Sequence, residues 1–289
     1  MIDAHLHLWN EQNGRVNGLP VYALGGGRSM FGGEIRQMMP AYMTDGVNSV
    51  ERLLANMDFA QVAGAVVTQE YIDGNQDAYL CQVRRDHPER IRVSALYEEK
   101  LLEDIAWADG IKICAGRLAD QDLTKHADVF ERAEREDKFI GIDLADGDAQ
   151  AASLRELIQQ YPDVRVAIGH FGMVTTKGWQ EQIKLARNKN VYVESGGITW
   201  LFNSEFYPYP SAVRAIAEAR DICGMEKLMW GSDYPRTMTA ITYRMSWDFV
   251  QKSPLLKDGE KQLFFHDNAE KFYRFENLPE MPYIHHMAE

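Results

Sequence analysis

Short apolar runs rich in β-branched residues recur along the chain. Between them lie longer stretches in which apolar positions return every three or four residues. The runs are Ile2–Leu8, Gly64–Gln69, Ile91–Leu96, Gly110–Cys114, Phe139–Leu144, Val164–His170, Val191–Glu194 and Leu228–Asp233. Most are apolar throughout and do not alternate, which marks strands covered on both faces, as in a parallel sheet flanked by helices. The intervening stretches read as helices. Asn48 with Glu51 three residues on forms a capping-box signal, followed by Val50, Leu53, Leu54 and Met57 on one face. Val129, Phe130 and Ala133 share a face further on, and Leu263, Phe264, Phe272 and Tyr273 sit at helical spacing near the end. About eight strand-then-helix repeats in a chain of 289 residues predict an α/β fold. The arrangement that fits is a single-domain (β/α)8 barrel over residues 1–289, with a doubly wound open sheet as the second choice.

One connection breaks this rhythm. From about residue 10 to 45, between the first strand and the first helix, runs a segment with Gly25–Gly27, a Phe31–Glu34 "FGGE" and four methionines, Met30, Met38, Met39 and Met43. A connection this long inside a compact domain usually has a function of its own. In a barrel it lies at the C-terminal face, so we expect a loop that covers substrate, with its methionines lining an apolar lid.

Composition narrows the classes of partner. A formal charge of −12 leaves no basic stripe for nucleic acid. No apolar stretch approaches the ~20 residues that span a bilayer. Cys81, Cys114 and Cys223 are far apart, as expected of reduced thiols, and the first residues lack the pattern of a secretory signal. The expectation is a cytoplasmic protein acting on a small-molecule substrate, with a homo-oligomer left open.

The candidate chemistry sits at strand ends. His5 and His7, two apart on a strand, point the same way. Neutral imidazole is a common metal ligand, although an isolated H-x-H is more often a pair of hydrogen-bonded core histidines. His170 ends the sixth apolar run, Asp233 the eighth and Asp143 the fifth. An ionisable group at such a place is costly unless paired or coordinated, and a barrel brings all these ends to one mouth. His5, His7 and a carboxylate can hold one divalent ion. Asp233 suits a proton shuttle, and His170 can polarise a carbonyl or orient water. Asp143 can ligate the metal or fix a histidine tautomer. Around them, Arg117 and Arg236 follow strands and can bind a substrate carboxylate. Gln69 and Glu70 can hydrogen-bond a hydroxylated substrate. Trp9 and Trp200 lie just past strand ends, where aromatic faces can stack on sugar rings.

"MIDAHLHLW", "IGHFG", "MWGSDYP" and "NAEKFYRF", in that order along nearly the whole chain, resemble the amidohydrolase superfamily and its amidohydrolase-related (amidohydrolase 2) family. Within that family the chain is most similar to the branch of sugar-lactone and pyrone-dicarboxylate lactonases. The resemblance implies a distorted (β/α)8 barrel with hydrolysis at its C-terminal face, helped in many members by one divalent metal. Some relatives in this branch are thought to work without one. By position, His5 and His7 match the first-strand pair, His170 the sixth-strand histidine and Asp233 the eighth-strand aspartate that shuttles the proton. Many members carry a fifth-strand histidine as a metal ligand; here that position is Asp143, which the lactonase branch tolerates. On the fourth strand Lys112 matches the lysine that is carboxylated in two-metal relatives, but reads more simply as a substrate-side cation or an acid's partner.

The expectation is therefore a hydrolase that opens a small cyclic ester, a sugar-acid or carbohydrate-derived lactone, by carboxylate-assisted attack of water. Asp233 and His170 are the expected catalytic groups. A metal, zinc first, is expected on His5, His7, Asp233 and Asp143, with metal-independent action as the other option. Gln69, Lys112, Arg117, Arg236 and Trp9 are the expected substrate contacts. A metal-dependent decarboxylase of the same superfamily is the alternative, and a non-catalytic barrel is the third reading.

Overall fold

The computed structural model describes residues 1–100 and 104–288. Eight parallel strands form one sheet that curls into a barrel: β1 (Ile2–Leu6), β6 (Gly64–Val67), β7 (Ile91–Leu96), β8 (Gly110–Ile113), β9 (Phe139–Ile142), β10 (Arg165–Ile168), β11 (Val191–Glu194) and β12 (Leu228–Met229), in that spatial order. Helices lie between successive strands, as in Val50–Ala60, Asp77–Asp86, Ala127–Arg135, Ala151–Gln160 and Pro210–Cys223. The ends of the sheet meet through Ala4 N–H to the Trp230 carbonyl, Asp233 N–H to the His5 carbonyl and His7 N–H to the Tyr234 carbonyl, each 2.9 Å. Asp3 reinforces this seam by accepting from the Ser232 N–H at 2.9 Å and the Tyr243 hydroxyl at 2.7 Å. The architecture is the expected (β/α)8 barrel.

Side-chain alternation sorts each strand into two populations. Val67, Val93, Ile111, Ile113, Ile140, Ile142, Ile168 and Val193 face outward into the layer shared with the helices. Ile2, Ala4, Val66, Phe139, Ala167, Tyr192 and Met229 face the axis, and Phe272, Tyr273 and Phe275 pack against them from the C-terminal segment. That aromatic cluster closes one end of the barrel, so the other end carries the chemistry.

The segment expected as a covering loop is ordered structure. It forms a four-stranded antiparallel sheet: β2 (Asn13–Val16), β3 (Leu19–Gly25), β4 (Arg28–Phe31) and β5 (Glu34–Gln37). Each connection is a two-residue turn, Asn17-Gly18, Gly26-Gly27 and Gly32-Gly33, and all six residues have positive φ. That is the signature of the tight hairpin turns whose twist matches the flanking strands. Its methionines do not form one lid surface. Met39 and Met43 pack with Trp9 in a small buried cluster, whereas Met38 reaches the cavity described below.

Two local expectations change. Asn48 caps no helix; its side chain donates to the His7 carbonyl at 2.6 Å, and Ser49 precedes the helix that begins at Val50. Several strands also end two to four residues before the runs that announced them, at Leu6, Val67, Ile142, Ile168 and Met229. Beyond those points the chain leaves the ladder, and Asp143, His170 and Asp233 turn into the mouth.

Candidate active site

The mouth holds a cavity of about 880 Å3. Glu70, Asp143, His170, Trp200, Asp233 and Arg236 form its deep wall, and Arg15, Asn17, Gln37 and Met38 from the inserted sheet form part of its rim.

Strict alternation along β1 cannot send both Ala4 and His5 to the axis. The pairing of β1 with β6 shifts register between Asp3 and Leu6, and this irregularity re-aims the strand. Beyond it Leu6 and Leu8 face outward while His5 and His7, both buried, face inward. Their ring nitrogens have separate duties. His5 Nδ1 donates to Glu194 Oε1 at 2.7 Å, and His7 Nδ1 donates to the Thr68 carbonyl at 3.0 Å. In the neutral rings those bonds assign the proton to Nδ1 and leave a lone pair on each Nε2. Burial, reinforced by the Arg236 guanidinium, pushes His7 below its ordinary pKa and keeps it neutral.

The two Nε2 atoms lie 3.2 Å apart, His7 Nε2 is 2.8 Å from Asp233 Oδ1, and His5 Nε2 is 3.9 Å from the same oxygen. Three lone pairs thus converge with no proton among them, an arrangement that calls for a cation. Ligands arranged tetrahedrally about zinc at about 2.1 Å stand about 3.4 Å apart. The three edges here average about 3.3 Å. The donor set fits one divalent ion, with Glu194 and the Thr68 carbonyl as the outer partners that orient the imidazoles.

Asp233 is ionised. Burial raises its pKa, but the His7 contact and the charge of the Arg236 guanidinium, 3.5 Å from Oδ1, outweigh that and hold it well below the usual carboxylate range. Its second oxygen, Oδ2, accepts from the Trp200 indole N–H at 2.6 Å. Asp233 has φ of 59° and His170 φ of 51°, both in the left-handed region that non-glycine residues avoid. Backbone strain of this kind persists where surrounding contacts hold it, and here it accompanies two groups aimed at one cavity.

Glu194 is the hub beneath them. Its carboxylate accepts from His5 Nδ1, from the His170 N–H at 3.1 Å and from the Gly196 N–H at 2.5 Å. Burial works against its charge, but the hydrogen bond from His5 Nδ1 and the positive field of His170 lower its pKa. The packing leaves no space for a side chain at Gly169, where a Cβ would lie 2.0 Å from Asp143 Oδ1.

His170 Nδ1 donates to the Gly196 carbonyl at 2.9 Å, while Nε2 stands 3.5 Å from Asp143 Oδ2 and 3.6 Å from Glu70 Oε1. Burial disfavours its charge, but Asp143 and Glu70 raise its pKa well above the ordinary value, so it is an imidazolium. Asp143 is itself held ionised against burial by Lys112, whose Nζ lies 2.6 Å from Oδ1.

These contacts place each residue singled out by the sequence. His5, His7, His170 and Asp233 meet at the mouth. Asp143 meets them too, but it turns to Lys112 and His170 and stands outside the His5–His7–Asp233 triangle, so the tautomer- and charge-fixing role suits it better than ligation. Arg117 reaches the cavity with an exposed guanidinium, and Arg236 reaches it while bound to Asp73 at 2.6 Å.

Three expected substrate contacts are placed elsewhere. Gln69 spends its side chain on Asp77, the Ser94 carbonyl and the Gln76 N–H. Lys112 lies inside the barrel, 1% exposed, paired with Asp143. Trp9 is 0% exposed and donates to the Gly46 carbonyl, anchoring the inserted sheet. Glu194 and Asp73 were not anticipated. Glu194 carried the same signal as Asp143, an acid where an apolar run stops; Asp73 lies in a loop and carried none.

A sequence profile described as amidohydrolase matches residues 2–275. The chain belongs to the amidohydrolase family. A curated relative, the uncharacterized protein y4mH of Sinorhizobium fredii, is 29% identical over 136 residues, 43% of this chain and 44% of that protein, so the match spans less than half of its length. Among solved structures, a probable 2-pyrone-4,6-dicarboxylic acid hydrolase from Acinetobacter baumannii with citric acid bound superposes with a TM-score of 0.68 at 17% identity, covering 95% of this chain and 99% of that one. A Burkholderia multivorans amidohydrolase with bound zinc gives 0.67 at 15% identity, covering 96% and 99%. The manganese complex of 5-carboxyvanillate decarboxylase from Novosphingobium aromaticivorans gives 0.52 at 16% identity, covering 79% and 81%. At these identities the structures speak for the fold. Family and site together make this amidohydrolase an enzyme. No helix among the described residues is long and apolar enough to cross a membrane.

Proposed function

We propose that this amidohydrolase opens a small cyclic ester, a sugar-acid or other carbohydrate-derived lactone, by water attack assisted by Asp233. The observation that carries the reading is that the Asp233 carboxylate and the His170 imidazole line one cavity, with the neighbours of each favouring its charged form against burial. Ester hydrolysis needs a base for water and a cationic donor for the developing oxyanion.

Asp233 takes a proton from water as the water oxygen bonds to the ester carbonyl carbon. His170 Nε2–H faces Asp143 and Glu70 at 3.5 and 3.6 Å and exchanges these long contacts for one to the carbonyl oxygen as that oxygen becomes negative. When the tetrahedral adduct collapses, the ring C–O bond breaks, and Asp233 returns its proton to the departing alkoxide, giving an open hydroxy acid. The Trp200 indole N–H fixes the rotation of the Asp233 carboxylate throughout. A divalent ion on His5, His7 and Asp233 would add Lewis-acid polarisation and lower the pKa of a coordinated water.

Charge bears on the substrate class. Arg15, Arg117, Arg236 and the His170 imidazolium line the cavity against Glu70, Glu99, Asp143, Asp146 and Asp233, and Lys112 compensates Asp143 from below. A lining so close to balance suits a neutral, polyhydroxylated lactone better than a multiply charged acid. Arg117 can still hold one carboxylate.

The test is a panel of aldonolactones and carboxylated lactones followed by pH-stat, run beside a CO2-release assay on aromatic carboxylic acids. Acid release from a lactone supports the reading. CO2 release without lactone turnover would replace it with the decarboxylase.

A further inference from the structure

The inserted sheet has two edges, and the protein treats them differently. The outer edge of β2 is covered: the Asn13 N–H donates to the Asp73 carbonyl at 3.2 Å, and the Arg15 N–H donates to the Tyr71 carbonyl at 2.8 Å. The outer edge of β5 is bare. All four of its residues are exposed, and Ile35 is 61% exposed.

The pairing pattern shows which backbone groups that edge offers. The Gly32 N–H donates to the Pro20 carbonyl, which sets the alternation between β3 and β4. Phe31 and Ser29 must then direct their backbone groups at Glu34 and Arg36 of β5, their register partners. Ile35, paired with Met30, is left with its N–H and C=O pointing away from the sheet. Among the described residues no hydrogen bond is made to them from elsewhere. An open edge of this kind is a template for another strand.

The sequence of β5 is complementary to itself. Turned through a two-fold axis at Ile35, an antiparallel copy sets Ile35 opposite Ile35, with two N–H···O=C bonds exchanged between them. It also sets Glu34 opposite Arg36 twice, once on each side of the axis. Opposite charges directly across an antiparallel pair attract, and like charges there repel. The same operation extends a row of apolar side chains, Tyr22, Met30 and Ile35, across the junction, because register partners share a face of the sheet. Tyr22 is 43% exposed, so this row has apolar area to share.

We propose that two copies of this chain pair isologously through β5, edge to edge about Ile35, joining their inserted sheets into one eight-stranded sheet. A C2 contact of this kind needs one self-complementary patch and no other. Four residues per strand make a small contact, below the area of permanent dimers, so the pairing is reversible and concentration-dependent. It also bears on the mouth, because Gln37 and Met38, at the end of β5 and just beyond it, line the cavity. The inference does not rest on the lactone reading.

Sedimentation velocity on the full chain over a hundredfold concentration range tests it. The expected result is a monomer–dimer equilibrium. Ile35→Pro, which removes the N–H at the axis, should abolish the dimer. Glu34→Arg alone and Arg36→Glu alone each set like charges opposite one another and should weaken association at least tenfold. The double variant Glu34→Arg/Arg36→Glu restores opposite charges and should dimerise like the parent. Far-ultraviolet circular dichroism checks that each variant is folded. A monomer at every concentration overturns the proposal, as does a dimer indifferent to Ile35→Pro or a double variant no better than the single ones.

Discussion

Replacing Glu194 by Gln tests the lower half of the site without touching the cavity wall. The side chain keeps its shape, but three donors now converge on an amide with a single acceptor oxygen. His5 Nδ1 at 2.7 Å, the His170 N–H at 3.1 Å and the Gly196 N–H at 2.5 Å cannot all be satisfied. If the amide NH2 turns to His5, the imidazole must accept at Nδ1, its proton moves to Nε2, and the lone pair aimed at His7 and Asp233 disappears. If the oxygen stays on His5 it keeps the His170 N–H as well, because both donate to Oε1, and the Gly196 N–H on the other side faces an NH2 group. One buried donor left unpaired costs about 1–3 kcal/mol. Loss of an outer carboxylate partner to a metal-bound histidine typically weakens metal binding by about 10–100-fold, which is about 1.4–2.7 kcal/mol. Zinc titration against a chromophoric chelator reads the second figure, and urea unfolding of the metal-free protein reads the first. Zinc should also raise the melting temperature of the variant less than that of the parent, since stabilisation follows the ratio of free ligand to Kd. A folded Glu194→Gln protein with unchanged zinc affinity would refute the assignment of Glu194 as the group that sets the His5 tautomer.

Three further substitutions probe separate links. Trp200→Phe keeps a ring at a position that is 38% exposed but removes the indole N–H from Asp233 Oδ2; kcat should fall by about tenfold, the effect of one hydrogen bond to a charged group, with little change in unfolding midpoint. Arg236→Ala leaves Asp73, 2% exposed, without its 2.6 Å partner. It should cost about 3–5 kcal/mol in denaturant unfolding, and adding Asp73→Asn should recover part of that; a cost below about 1 kcal/mol would show that the pair is not effectively buried. Gly231→Ala places a Cβ 2.8 Å from both Glu194 Oε2 and the His5 Cβ, so it should destabilise by about 1–3 kcal/mol. Gly259→Ala, where nothing lies within 4 Å, is its control and should be neutral or slightly stabilising.

The barrel was legible because its strands are buried on both faces, so they stand out as unbroken apolar runs between amphipathic helices. The site was legible for a related reason. His170, Asp233 and Asp143 are polar groups at the ends of such runs, and burial there requires a purpose. That rule also named Glu194, which ends "VYVE", but a carboxylate inside the barrel cannot be told from one at its mouth without coordinates. Lys112 shows the converse: an interior lysine whose Nζ reaches Asp143 looks, in sequence, like a cation available to substrate. Gln69 and Trp9 sit at strand ends yet turn into hydrogen bonds that hold the framework together. The inserted sheet was the plainest signal left unread. Asn17-Gly18, Gly26-Gly27 and Gly32-Gly33 are hairpin pairs separated by strand-length segments, and their spacing alone called for antiparallel strands.

The most direct measurement compares wild type with Asp233→Asn on the lactone the wild type turns over fastest, by pH-stat at saturating substrate. The amide is isosteric and can still accept from Trp200 through its oxygen, so the fold and KM should be nearly kept while kcat falls by about 10²–10⁴-fold, the usual contribution of a positioned acid–base group. A folded Asp233→Asn enzyme that hydrolyses the lactone at the wild-type rate would contradict the account.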